Sequence, residues 1–292
     1  MWNIGMQNTT AATRKQGLDK FYTRAPIATS CIEAVDARFP WESWDLCVEP
    51  SAGNGRFFLQ LPLGKRIGLD LEPEHPDIQK QDFFTYTPPS EATRVLVVGN
   101  PPFGRVSSLA VKFFNHAARW ATVIAFIVPR TFRRISLQGR LDLQFHLLQD
   151  LEIPTEPCAF EPPMQVKCCF QIWIRKTEAR VCPVLPLQHP HWNFLPLGPV
   201  DTKGQPTPPQ GADFALRAYG GQCGEIVSNG MQACRPKSWH WIQARIPPHI
   251  LKARFEILDY SLSENTARQN SLGRAELILL YSEAYADTSI SS

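Results

Sequence analysis

Residues 97–105 read Val-Val-Gly-Asn-Pro-Pro-Phe-Gly-Arg, an apolar run that halts on an asparagine, two prolines and an aromatic ring. With the residues before it, RVLVVGN at 94–100, it is one of four short runs of this kind, the others being LCVEP at 46–50, RIGLDLEP at 66–73 and TVIAFIVP at 122–129. Strands that are apolar on both faces need cover on both faces, and a parallel sheet flanked by helices provides it. Segments of helical spacing lie between them. Residues 27–39 place Ile32, Val35 and Phe39 on one face, and 109–120 do the same with Val111, Phe114 and Ala118. The pattern predicts a doubly wound, mostly parallel, Rossmann-like α/β domain, with VKCCFQIWIRK near 165–175 closing the sheet from its edge.

Between 181 and 211 lie eight of the chain's 26 prolines, which disfavours helix and central strand and reads as a linker. The sequence thus divides into a first domain over 1–180, a Pro-rich linker over 181–211 and a small α+β unit over 212–292. In that unit DFALRAYG, GEIVSNGM and WHWIQARI are the expected strands, followed by a helix capped at Ser271 that carries Leu277, Ile278 and Leu280.

The 292 residues are 43% hydrophobic, enough for a sizeable core. No apolar run approaches the roughly 20 residues of a membrane-spanning helix. The first residues, MWNIGMQNTTAATRKQG, lack the apolar core of a secretion signal. An intracellular, reducing compartment, cytoplasmic or nuclear, is therefore expected, and the eight cysteines are read as thiols. None forms a C-x-x-C pair, and no metal site is expected. The formal net charge of +3 says little about partners, but its distribution is uneven: from 101 to 141 there are seven basic residues and no acidic one. Arg130, Arg133 and Arg134 follow the 122–129 strand and are placed on the rim beside Asn100, where they are candidates for holding a phosphate backbone.

A strand that ends in Asn-Pro-Pro-Phe sets those residues at the carboxyl edge of a parallel sheet, where open α/β folds bind ligands. Proline removes N–H donors and fixes φ, so the loop is stiff and its carbonyls stay free. Asn100, Pro101, Pro102 and Phe103 then form a rigid acceptor surface beside an aromatic plate. An exocyclic amino group on a planar base suits such a surface. Its lone pair is delocalised into the ring until two acceptors, the Asn100 side-chain oxygen and the Pro101 carbonyl, draw its hydrogens out of plane. Phe103 would stack on the ring.

These residues resemble motif IV, (D/N/S)PP(Y/F), of the class I S-adenosylmethionine-dependent amino-methyltransferases, whose Asn form is typical of N6-adenine enzymes. Other motifs of that family follow in order. EPSAGNGRF at 49–57 resembles motif I, which implies cofactor contacts from Glu49, Pro50, Ser51, Ala52, Gly53 and Gly55. Asp70 stands where the family holds the ribose hydroxyls. Asp82 and Phe83 in KQDFF resemble motif III, where a carboxylate accepts from the cofactor's adenine and the next residue lines its ring. DKFYT at 19–23 resembles motif X and implicates Phe21, Tyr22 and Thr23 at the methionine end. AFEPPMQVKCCF resembles the motif VIII region, whose aromatic stacks on a flipped base; Phe160 is the candidate and Met164 the alternate. The resemblance spans roughly residues 18–175.

The motif order is that of the gamma-type DNA adenine methyltransferases, in which the C-terminal extension recognises the target. Residues 212–292 are short for target recognition. DFALRAYGG and NTARQNSLGRAELI resemble a segment of phage and viral methyltransferases, with no chemical role assigned. What the resemblance implies is S-adenosylmethionine as cofactor, nucleic acid as partner and N6-adenine methylation as activity. DNA is the preferred substrate. The same chemistry on RNA is the alternative, followed by methylation of a protein glutamine or a pseudo-enzyme that only binds nucleic acid.

Overall fold

The computed structural model describes residues 21–285. Asp19 and Lys20 of the DKFYT stretch, and the N-terminal segment read above for a secretion signal, lie outside that range.

In chain order the first strands are β1 (Tyr22–Thr23), β2 (Leu46–Glu49), β3 (Arg66–Asp70), β4 (Gln79–Lys80), β5 (Val95–Gly99) and β6 (Val123–Pro129). β7 (Phe145–Ile153), β8 (Phe160–Glu161) and β9 (Cys168–Arg175) follow. Seven of them form one sheet in the order β4-β3-β2-β5-β6-β9-β7. The first five are parallel, and β9 runs antiparallel to both β6 and β7. This is the expected doubly wound, mostly parallel sheet. Every residue of β2, β5 and β6 is buried, as continuous apolar runs covered on both faces require.

The 168–175 strand departs from expectation: it does not close the sheet but lies inside it, and β7 takes the edge. The β7 sequence, FHLLQDLEI, is half exposed, so it lacked the continuous apolar signature that marked its neighbours.

Helix α1 (Ala25–Asp36) starts with proline in its first turn, the position where a missing N–H costs nothing, and α2 (Ser108–Ala117) covers the sheet after β5. Ala28, Cys31, Ile32 and Val35 of α1 pack on one side of the sheet, while Ala110, Val111, Phe113 and Phe114 of α2 pack on the other. α3 (Ile135–Gln138) is a single turn.

The second unit carries β10 (Trp192–Phe194), β11 (Phe214–Arg217), β12 (Ile226–Val227) and β13 (Trp239–Ala244), ordered β10-β13-β11-β12, with α4 (Pro248–Glu256) and α5 (Arg274–Ala284). Its apolar cluster is separate, with Trp192, Phe214, Ile242, Phe255, Leu277 and Tyr281 buried together. The stretch expected to be only a linker therefore contributes a strand. The residues WNF sit between Pro190 and Pro196, and β10 lies at the sheet edge, where flanking prolines disturb no ladder. Nor does α5 begin at a Ser271 cap. It starts at Arg274, with the Glu276 carboxylate accepting from the Gly273 N–H at 2.7 Å, while Ser271 bridges to Tyr219.

Candidate active site

The sheet order reverses between β2 and β5, β2 leading outward to β3 and β5 to β6 in the other direction. Ligands in open α/β sheets bind outside the carboxyl ends of the strands at such a switch point. The loop after β2 is Pro50–Gly55 and the loop after β5 begins at Asn100, so the two strongest sequence motifs meet there. A hydrogen bond joins them: the Ser51 hydroxyl donates to the Asn100 carbonyl at 3.3 Å.

The turn after β2 is held from several sides. The Gly55 N–H donates to the Ala52 carbonyl at 2.7 Å, Gly53 N–H to Asp70 Oδ2 at 2.7 Å, and Glu74 N–H to the Gly53 carbonyl at 3.0 Å. Gly53 adopts φ +49°, and a Cβ there would lie 3.0 Å from a ring carbon of Tyr22. Glycine is thus required both by the backbone and by the tyrosine above it. Tyr22 also hydrogen-bonds Glu74 through its hydroxyl. Asp70 does more than the resemblance implied, since its Oδ1 accepts from the Glu72 N–H at 2.8 Å while Oδ2 fixes the glycine turn. Each carboxylate oxygen keeps a second lone pair for another donor.

Glu49 ends β2 fully buried. Its Oε2 accepts from the Phe58 N–H at 2.6 Å, and its side chain lies against Gly99, where a Cβ would meet Glu49 Cγ at 3.1 Å. Burial pushes its carboxyl well above the ordinary range, with the nearby Asp70 charge adding to the shift and the Phe58 N–H opposing it.

Asn100 is the centre of the arrangement. Its Nδ2 donates to the Phe21 carbonyl in a long contact of 3.5 Å, while its Oδ1 is buried without a hydrogen-bond partner among the described residues. Phe21 is brought there by β1, which pairs with β8 in the register Tyr22↔Glu161 and Thr23↔Phe160. The FYT segment and the segment at Phe160 therefore form one small ladder that leans on the Asn-Pro-Pro loop. Thr23 is also buried with an unpartnered Oγ1. Two of the orphaned buried oxygens thus fall on residues assigned to binding or catalysis. Buried acceptors and hydroxyls left unpaired are costly, and these two face the same loop cluster at the carboxyl edge of the sheet.

Pro101 is buried, and Pro102 and Phe103 are half-buried. Beyond them the backbone is strained in a way the sequence did not signal. Gly104 has φ +68°, and the β-branched, exposed Val106 and the buried Ser107 have φ +52° and +58°. Non-glycine residues rarely adopt this conformation, which costs about 1–3 kcal/mol each and clusters at functional sites. A hydroxyl pair, Ser107 to Thr131 at 2.7 Å, ties this loop to the one after β6.

Three expectations change on contact with the structure, those for Phe83, Phe160 and the arginine rim. Phe83 does not line a ring site; it is buried, stacked on Phe113 at 5.2 Å, and the exposed ring is Phe84. Asp82 is exposed at the carboxyl edge, and its side chain accepts from the Phe84 N–H at 3.0 Å. Phe160 is only 1% exposed, so it offers no face to a base, whereas Met164 is half-buried on the same cluster as Phe103. The three arginines, read as a phosphate-holding rim, are occupied: Arg130 pairs with Glu152 at 2.6 Å, Arg133 with Asp150 and Glu152, and Arg134 with Glu276 at 2.8 Å and the Ser271 carbonyl at 2.7 Å. Their partners sit on β7 and α5, distant in sequence, so local charge counting missed them.

Hollows of about 490 and 440 Å³ open in the second unit, the larger beside His189, His191, Arg254 and Tyr281. Neither touches the residues above; chemistry, not cavity size, marks the site.

The class that fold and site define is a Rossmann-like α/β protein with its polar groups converging at the switch point. No protein-family profile and no curated protein matches the chain. Among solved structures it is similar to Pyrococcus horikoshii PH1948, provisionally described as an RNA methyltransferase. The identity is 16%, over 57% of this chain and 94% of that one, with a TM-score of 0.41. It is also similar to the 23S rRNA methyltransferase ErmE (18%, 54% and 71%, 0.35) and to the magnesium protoporphyrin IX methyltransferase ChlM from Synechocystis with bound S-adenosylmethionine (12%, 52% and 79%, 0.39). At these identities and TM-scores, the fold and site assignments stand on this chain's own strand order and residues.

Proposed function

We propose that the chain transfers a methyl group from S-adenosylmethionine to the N6 amino group of adenine in DNA. The observation that carries this reading is the buried, unpartnered Oδ1 of Asn100 at the carboxyl end of β5, with its amide nitrogen already held by Phe21. In this reading residues 1–180 form the cofactor-binding and catalytic unit, and the chain from 181 onward, including β10, forms the second unit, which serves substrate recognition or docking.

S-adenosylmethionine supplies, when bound, a methyl group made electrophilic by its attachment to sulfonium. The residues that would hold it are Tyr22 and Thr23, the turn from Glu49 to Gly55, and the carboxylates of Asp70 and Asp82. The chain's own residues prepare the nucleophile. Asn100 Oδ1 and the Pro101 carbonyl each accept one hydrogen of the adenine amino group, so the nitrogen pyramidalises and its lone pair turns toward the methyl. With the methyl donor bound, the sulfur–methyl bond would break as the N–C bond forms and the sulfur would leave as a neutral thioether; the positive charge would pass to nitrogen, where the two fixed acceptors would stabilise it most. The nitrogen then sheds a proton to water, so no strong base is required. Phe103 holds the ring plane. A base in a duplex reaches this pocket only after leaving the stack.

The test uses labelled cofactor with parallel pools of duplex DNA, single-stranded DNA and RNA, each digested to nucleosides after reaction. The expected product is N6-methyldeoxyadenosine. Label confined to RNA moves the substrate while keeping the chemistry; label in none of the pools overturns the reading.

A further inference from the structure

The segment NTARQNSLGR at 265–274, to which the sequence assigns no chemistry, is fastened to the carboxyl edge of the sheet that carries the proposed site. Residues 263–271 form a closed loop whose neck is the Ser271 N–H donating to the Ser263 carbonyl at 2.9 Å. Its middle is fastened to the first unit: Lys167 donates its N–H to the Ala267 carbonyl at 2.8 Å and its Nζ to Asn270 Oδ1 at 2.8 Å. Its far side is held by the Gly220 N–H, which donates to the Asn270 carbonyl at 2.9 Å.

The sheet register fixes where this puts the loop. Lys167 directly precedes β9, whose first residue Cys168 pairs with Pro129 at the carboxyl end of β6, and β6 pairs with β5 through Gly99↔Phe126. The fastening point is therefore on the same carboxyl edge as Asn100, two strand spacings or about 10 Å to the side and three residues or about 10 Å further along the strand direction. Ala267 packs on the apolar cluster that also receives Phe103 and Met164. Ser263 and Thr266 are buried, whereas Arg268 and Gln269 at the tip are exposed. Glu264 is exposed at the neck and is the loop's own acid. Among the described residues Arg268 takes part in no ion pair or hydrogen bond, unlike Arg130, Arg133 and Arg134, each of which holds a carboxylate of this chain.

We infer that loop 263–271 is the second unit's contribution to substrate binding, with Arg268 holding a phosphate of the polynucleotide that carries the acceptor adenine. The inference rests on the proposed function and gives the second unit a role in it, positioning the strand while Asn100 acts on the reacting nitrogen. A phosphate contact of this kind carries no base information and releases a counterion on binding.

The test compares the wild type with Arg268→Gln, Arg268→Lys and Arg130→Gln, measuring methyl transfer to one oligonucleotide and its affinity across a salt series. Arg268→Gln is expected to raise KM several-fold with kcat and cofactor affinity unchanged. It should also flatten the log-log salt slope by about 0.9 on duplex or about 0.7 on single strands. Arg268→Lys, which keeps a point charge, should restore most of the slope. Arg130→Gln should leave the slope alone. A wild type that methylates nucleic acid while Arg268→Gln shows unchanged KM and slope overturns this inference alone, as does a slope that falls in Arg130→Gln instead. A wild type that methylates no nucleic acid overturns the proposed function and this inference with it.

Discussion

Both oxygens of Asp70 accept backbone hydrogens, from Gly53 at 2.7 Å and Glu72 at 2.8 Å. One carboxylate thus shapes the glycine turn and keeps a lone pair on each oxygen for the ribose hydroxyls of the proposed cofactor. Removing it costs two charge-assisted hydrogen bonds as well as any ligand contact, so Asp70→Ala should weaken S-adenosylmethionine binding by at least about tenfold. Calorimetry is the check, and unchanged affinity would move the ribose role to Glu72. Gly53 is constrained in a complementary way. Its φ of +49° and the Tyr22 ring 3.0 Å from a would-be Cβ lead Gly53→Ala to lose about 1 kcal/mol or more in a denaturant titration. At this scale the sequence was informative where chemistry is local. Glycines in a turn, an asparagine before two prolines and an aspartate ending a strand are legible because each is marked by its immediate sequence neighbours, even though Asp70 and Asn100 reach partners far along the chain. The partners of Arg130, Arg133 and Arg134 were not legible, because Glu152, Asp150 and Glu276 reach them only through the pairing of β7 and the docking of α5.

Between elements, one join of the two units runs through Arg134, which donates to Glu276 and to the Ser271 carbonyl, beside the Lys167 contacts with Ala267 and Asn270. The side chains are 19% and 9% exposed, and Glu276 simultaneously holds the Gly273 N–H at the start of α5. Breaking a fully buried pair by removing one partner costs about 3–5 kcal/mol; for this partly screened pair Arg134→Gln should cost about 2 kcal/mol. A double-mutant cycle with Glu276→Gln should show that the two losses do not add. Additive losses would mean that Arg134 and Glu276 do not stabilise one another. The central strands were readable because they are apolar throughout, whereas β7 was not, being half exposed, and β10 was hidden between prolines. Helix α4 escaped for a similar reason, since only Leu251 and Phe255 of its nine residues are buried.

Over the whole molecule, acid should loosen the second unit first. His240, with its ring nitrogen 2.8 Å from the Leu272 carbonyl, is held by burial down to about 4, against the opposing pull of that carbonyl, and His189 is likewise lowered to about 4 by burial and by His191. Both are neutral in the fold. Unfolded histidine titrates near 6.5, so below that pH the unfolded chain binds more protons than the folded one, and stability falls as pH drops from about 6.5 toward about 4. Above about 6.5 these groups give no slope. Thermal melts across that window check this, and His240→Gln should flatten the curve; an unchanged slope in that variant would assign the acid sensitivity to other groups. The proposed chemistry turns on whether Asn100 acts on the acceptor and not on the cofactor. The most direct measurement is single-turnover methyl transfer by the wild type and Asn100→Ala, with S-adenosylmethionine affinity determined on the same preparations. Losing a transition-state hydrogen bond of this type costs a factor of about 100 to 1,000, and the expected result is a loss of that size with cofactor affinity within a few-fold of the wild type. Near-normal transfer by Asn100→Ala would contradict it.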